Sequence, residues 1–194
     1  MARVLAIQGS PRRRGNTATV LEHVLAVLRK NGARVKSIDL GLLTLKGCNE
    51  CFACQKVLDR PGCPIRDDIQ DIYGELLKAD LIIFATPVFC WGPSAQMKAV
   101  FDRCYALFKF SEDPYRCLLE GKRAALVVTA AGDRTDGADL VGDAYRRFIE
   151  YARVRNAGAF LACSLSKPED TARDKRLAAR ASRFGEKLVT LLSK

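Results

Sequence analysis

Five short apolar segments, separated by amphipathic helical ones, predict an α/β fold in which a five-stranded parallel sheet lies between two helical layers, formed by a single domain over residues 1–194. Three observations carry this. The alternation runs from end to end of the chain. Two of the apolar segments, Leu81-Ile82-Ile83-Phe84-Ala85 and Ala125-Leu126-Val127-Val128, are unbroken, as strands covered on both faces should be. Parallel neighbours need crossover connections, which the intervening helices supply, and right-handed crossovers place helices on both faces.

The elements follow in order. Val4 to Ile7 is the first strand, stopped by Gly9-Ser10-Pro11. From Thr17, apolar residues at 20, 21, 24, 25, 27 and 28 have helical spacing, and Asn31-Gly32 closes that helix. Arg34 to Leu40 is the second strand. A cysteine-rich insert, about 46–66, includes a short helix near Glu50 to Val57. Asp67-Asp68 starts a helix that runs to Leu77 or Lys78. The third strand, 81–85, is ended by Pro87, and Trp91-Gly92-Pro93 forms a turn before a helix from Ser94 to about Leu107. Arg123 to Ala130 is the fourth strand, Gly137 to Tyr151 a helix, and Ala157 to Cys163 the last strand. Leu177, Ala181, Phe184, Leu188 and Leu191 give a long amphipathic C-terminal helix.

Composition bounds the function. No apolar run reaches the roughly 20 residues of a membrane span, and the N-terminus enters a strand rather than a signal sequence, so the chain is expected in the cytoplasm, without membrane contact. A formal charge of +10 admits an anionic partner, but the basic residues are spread out and are not interleaved with aromatics, which argues against nucleic acid. Eight cysteines in such a compartment are not a disulfide framework; four crowd into residues 48 to 63, which suggests metal or redox use. His23, the single histidine, lies on the first helix, so a histidine-based catalytic triad is excluded.

In an open parallel sheet, ligands bind beyond the carboxyl ends of the strands. Three loops leave those ends. Gly9 to Thr17 leads into a helix N-terminus, where unpaired N–H groups favour a phosphate; Ser10, Arg12, Asn16 and Thr17 add donors and Gly15 allows close approach. The alternative is a capped turn with a solvated arginine run. Thr86 to Ser94 is apolar and aromatic and can take a flat ligand, or can belong to the core or to a subunit contact. Thr129-Ala130-Ala131-Gly132-Asp133 is small enough for a ring edge to approach the backbone, or is an ordinary tight connection.

The segments GSPRRRGNT, C-x2-C-x2-C with a fourth cysteine before Ile65-Arg66-Asp67-Asp68, and ATPVFCWGPSAQMKAVFDR together resemble the NAD(P)H-dependent FMN reductases, and more narrowly their iron–sulfur flavoprotein branch, over about residues 3 to 133. The resemblance implies a flavodoxin-like sheet in strand order 2-1-3-4-5. It implies FMN phosphate held by Ser10, Arg12, Asn16 and Thr17, and the isoalloxazine ring against Pro87, Val88, Phe89, Trp91, Gly92, Thr129, Ala130 and Gly132. Cys90, in the ring loop, is placed to tune or sense that ring. The resemblance also implies a homodimer or homotetramer. The third loop departs from many relatives in being poorer in glycine.

Cys48, Cys51 and Cys54 lie three apart and Cys63 follows after nine more positions, a grouping suited to a [4Fe–4S] cluster, to zinc, or to no metal at all. Cys104, Cys117 and Cys163 read as packing residues. The activity implied is hydride or electron transfer from NAD(P)H through FMN to a quinone, a flavin, a metal ion or a partner protein, with no side-chain acid or base required and no catalytic residue named. A second reading is an electron-transfer module built on a cluster; a third is a regulatory, nucleic-acid-binding protein on the same fold.

Overall fold

The computed structural model describes residues 1–111 and 113–193. In chain order the elements are β1 (Arg3–Gln8), α1 (Asn16–Lys30), β2 (Arg34–Asp39), α2 (Ile69–Lys78), β3 (Leu81–Phe89), β4 (Gly92–Pro93), α3 (Ala95–Arg103), β5 (Phe108–Lys109), β6 (Arg116–Cys117), β7 (Arg123–Thr129), α4 (Asp139–Tyr151), β8 (Arg155–Ala162), α5 (Asp170–Arg173) and α6 (Lys175–Leu192). The main sheet has the order β2-β1-β3-β7-β8, all parallel, which is the 2-1-3-4-5 order expected for five strands. The short β4 pairs antiparallel with the end of β3, and β5 and β6 form a separate two-stranded ribbon.

Side-chain alternation along the strands splits the interior into two cores, one on each face of the sheet. Leu5, Ile7, Ile82, Phe84, Leu126 and Val128 pack with α2, α3 and α4. Val4, Ala6, Leu81, Ile83, Ala125 and Val127 pack with α1 and α6. Burial on both faces is why β3 and β7 read as continuous apolar runs. On the second face α1 lies directly against α6. A Cβ on Gly185 would meet the Val24 carbonyl oxygen at 2.9 Å and Val27 Cβ at 3.0 Å, so the helix approach requires glycine there.

Several boundaries differ from those read in the sequence. β3 continues through Pro87 to Phe89 instead of stopping at Pro87. The physical reason is register. The Gly9 N–H donates to the Ala85 carbonyl, so Ala85, and Pro87 two residues on, present their backbone groups on the β1 side; β1 pairing ends at Gln8 opposite Ala85. The N–H that proline lacks would therefore have no strand to meet, while Pro87 still pairs with Thr129 of β7. The turn placed at Trp91-Gly92-Pro93 is centred one residue earlier, because Gly92-Pro93 is already the return strand. The helix before the last strand begins at Asp139, and β8 starts at Arg155.

Four of the five parallel strands begin with arginine. Arg3 stands opposite Arg34, and Arg123 opposite Arg155, along the amino edge of the sheet. The site loops leave the other edge.

Candidate functional site

The loops after β1, β3, β7 and β8 converge at the carboxyl edge of the sheet around one groove. Its first part, a cavity of about 160 Å³, is lined by Ser10, Arg12, Asn16, Thr17, Pro87, Val88, Phe89, Thr129 and Ala130. Its second part, about 280 Å³, is lined by Val88, Cys90, Trp91, Ala130, Gly132 and Asp136. The two share Val88, Ala130 and Ala131 and so form a continuous trough. All the residues that the resemblance assigns to FMN meet here except Gly92, which lines neither part and pairs with Phe89 in the β3–β4 hairpin.

The first loop is fastened before it reaches the ligand side. The Ser94 hydroxyl donates to the Gly9 carbonyl (2.6 Å) and accepts from the Met97 N–H (3.2 Å), which caps α3. A Cβ on Gly9 would lie 2.9 Å from Met97 Cβ and 3.0 Å from Ser94 Oγ, so only glycine lets the loop sit this close to α3. Ser10, buried, accepts the Arg12 N–H at its Oγ (3.1 Å), folding the turn. The Thr17 and Thr129 hydroxyls meet at 2.6 Å and join the start of α1 to the end of β7.

Two features of this end suit an anion. The N-terminus of α1 follows Gly15 and has no side-chain cap, so its first N–H groups and its positive dipole end are left for a ligand. The Arg12 guanidinium, exposed on the rim, has no hydrogen-bond or ion-pair partner among the described residues. Asn16 differs from its expected role. Its amide nitrogen donates to the Lys167 carbonyl (2.6 Å), and its oxygen accepts from both the N–H and the hydroxyl of Thr171 (3.0 Å each), so the side chain is committed to the loop after β8 and to α5.

The second part is apolar and open. Phe89 and Trp91 are 49% and 64% exposed. Cys90 and Trp91 both have positive φ, 46° and 59°, a backbone conformation that residues other than glycine rarely adopt and that turns the hairpin back sharply. The Trp91 indole N–H donates to Asp136 (3.2 Å), tying this loop to the segment after β7.

Leu165, Ser166, Pro168 and Asp136 also line the groove and were not singled out. The signal for the first three was available: β8 ends at the same sheet edge, so its outgoing loop has to border the site. That loop is stitched in by the Leu165 N–H to the Ala130 carbonyl (2.9 Å) and the Ser164 N–H to the Gly132 carbonyl (2.8 Å).

The cysteine insert forms a second, separate site. Cys48, Cys51, Cys54 and Cys63 line one small cavity of about 20 Å³, together with Arg103 and Tyr105. Burial pushes the Cys54 thiol up, the Gln55 hydrogen bond opposes this, and a charge on Cys63 pushes it further up. Among the described residues, no three Cys, His, Asp or Glu side chains converge as a single metal ion requires. Zinc, with Zn–S bonds of about 2.3 Å, needs such convergence. Four thiols lining one cavity beside a buried cation match in number and chemistry the ligands of an anionic iron–sulfur group. Cys104 and Cys117 are buried, in keeping with a packing role, and Cys163 is half-buried.

Residues 2–160 match the family described as NADPH-dependent FMN reductase. Among curated proteins, an iron-sulfur flavoprotein of Archaeoglobus fulgidus is 36% identical over 137 residues, covering 71% of this chain and 66% of that protein. The FMN-dependent NAD(P)H:quinone oxidoreductase 1 of Pseudomonas aeruginosa is 30% identical over 148 residues, covering 68% of this chain and 70% of the relative. The match thus spans just under two-thirds of the length of the Archaeoglobus protein. Among solved structures, an NAD(P)H:quinone oxidoreductase from Methanothermobacter marburgensis superposes with a TM-score of 0.74 at 18% identity, over 96% of this chain and 98% of that one, a likeness of fold.

Proposed function

The chain belongs to the NADPH-dependent FMN reductase family, and from that premise we propose that it is an FMN-dependent oxidoreductase passing hydride or electrons from NAD(P)H to a quinone, a flavin, a metal ion or a partner protein. The observation that carries this is the continuous trough, with an uncapped helix N-terminus and the exposed Arg12, without a partner among the described residues, at one end and an apolar, aromatic wall at the other. When bound, FMN supplies the hydride chemistry. The chain supplies position. Arg12, Ser10 and the α1 N–H groups hold the phosphate. Thr17 and Thr129 brace each other beneath it, and Asn16 fixes the bordering loop. Pro87, Val88, Phe89 and Trp91 wall the ring, and the small Ala130 methyl and the bare backbone of Gly132 let its edge approach the main chain. The exposed Phe89 and Trp91 at the mouth support a homodimer or homotetramer in which a second copy covers the ring. Eight free cysteines accord with the cytoplasm as compartment.

Titration of the purified chain with FMN is expected to quench flavin fluorescence at a stoichiometry of one per chain, and anaerobic NADPH is then expected to bleach the flavin absorbance. Riboflavin, which lacks the phosphate, is expected to bind far more weakly. Equal affinity for riboflavin and FMN would remove the phosphate site, and no binding of either would remove the reading.

One observation favours a further cofactor: all four cysteines of the insert line a single cavity. We infer that they hold a [4Fe–4S] cluster, which makes the chain an electron-transfer flavoprotein as well as a reductase. Iron and acid-labile sulfide near four each per chain after anaerobic purification or reconstitution is the expected result.

A further inference from the structure

Arg103, at the C-terminal end of α3, is 1% exposed. Its Nη1 donates to the Lys46 carbonyl (2.9 Å) and to Asp67 (2.9 Å); its Nη2 donates to the Ile65 carbonyl (3.3 Å) and again to Asp67 (3.2 Å). These partners flank the cysteine insert on both sides, so the guanidinium is clamped in one orientation between the two ends of that segment. The remaining donor, Nε–H, is buried and has no acceptor among the described residues. A buried donor left unpaired is costly, and more so on a cation, so native structures seldom retain one without a use.

Arg103 is also part of the wall of the cavity that the four cysteines line. The other buried cation nearby provides a contrast. Lys109 is fully buried, and its Nζ donates to the carbonyls of Ala106 (2.8 Å), Cys54 (3.3 Å) and Pro61 (3.4 Å), so it supports the insert from beneath with every donor engaged.

We propose that the Nε–H of Arg103 is the hydrogen-bond donor to a sulfur of the iron–sulfur group held by Cys48, Cys51, Cys54 and Cys63, and that it sets the reduction potential of that group. This rests on the cluster reading given above. Reduction adds negative charge that is shared by the sulfurs, so a fixed N–H donor on a buried cation stabilises the reduced form more than the oxidised one and raises the potential. Asp67 holds the guanidinium in register; Arg103 acts on the group through its sulfur and is a positioning and tuning residue, not a ligand.

The test uses the full chain, reconstituted anaerobically, with iron and sulfide measured first. Arg103→Lys retains a cation but removes the Nε–H. The expected result is iron content like that of the parent and a reduction potential shifted to more negative values in a titration followed by electron paramagnetic resonance. In the parent labelled with 15N-arginine, pulsed resonance of the reduced cluster is expected to show a nitrogen coupling. If Arg103→Lys does not fold, the labelled parent decides alone. A loaded parent without the coupling, or a loaded variant with unchanged potential, overturns the proposal and leaves the cluster reading standing. A parent that takes up no iron or sulfide overturns both, and the initial analysis separates that outcome from the others.

Discussion

Asn16 uses both ends of its amide on the loop after β8, and it shows how a residue of the right type in the right loop can serve the site at one remove. Its place in GSPRRRGNT suggested a phosphate donor, and nothing in one sequence reveals that Lys167 and Thr171, some 150 positions on, claim it. The turn and the helix start of that segment were more legible because they depend on local chemistry, a hydroxyl that folds the turn and a glycine before the helix. Asn16→Ala is expected to lower stability by about 1–3 kcal/mol, read as a reduced denaturant midpoint, through the loss of hydrogen bonds to the loop. Arg12→Gln, which removes a guanidinium without a hydrogen-bond or ion-pair partner among the described residues, is expected to leave stability unchanged and to weaken FMN about 10- to 100-fold, the size of one charge-assisted phosphate contact; riboflavin affinity should not move. Asp67 adds a pH dependence. Burial alone would raise its pKa, but the hydrogen bonds from Arg103, with backbone donors from Lys46 and Ile69, outweigh it and hold the carboxyl below its ordinary value. A carboxylate whose folded pKa is depressed contributes stability above the unfolded value of about 3.9 and loses it as pH falls through the folded one. Asp67→Asn is expected to cost about 3–5 kcal/mol at pH 7, because it strands a buried guanidinium, and to flatten the stability curve below about pH 4 in acid-unfolding experiments.

Among the elements, the order and type were readable because β3, β7 and the helices each carry an unambiguous hydrophobic period. What the period does not encode is where pairing stops. The extension of β3 past Pro87 depends on β1 having already ended, a fact of register between distant segments. The β5–β6 ribbon, two residues to a strand, is too short to leave any pattern. The β3–β4 hairpin has Cys-Trp at positions where Asn-Gly is the relaxed choice. Cys90→Asn is therefore expected to raise the thermal midpoint by an amount corresponding to at most about 1 kcal/mol, since asparagine tolerates the left-handed conformation better; the apolar wall of the groove, carried by Phe89 and Trp91, should keep FMN affinity within a few-fold. On the opposite face, Gly185→Leu would drive a side chain into the α1 backbone and is expected to destabilise by about 1–3 kcal/mol or more, with far-ultraviolet circular dichroism reporting an earlier melt.

For the molecule as a whole, the sheet separates two kinds of work. The carboxyl edge gathers four loops into the trough. The cysteine insert, packed beside α3, holds its own cavity. The amino edge presents the arginine row instead. The net charge of +10 is therefore not a property of the groove alone, and NADPH, with its extra phosphate, is expected to show a Michaelis constant that rises with ionic strength as screening weakens long-range attraction.

The row of Arg3, Arg34, Arg123 and Arg155 has a consequence for how copies of the chain can meet. Two molecules approaching base to base would set one guanidinium array against another, and this repulsion is felt over about 10 Å at moderate salt. A two-fold contact made through this edge is thereby disfavoured, which leaves the flanks and the ring-bearing pole as the surfaces on which a symmetric pair can close.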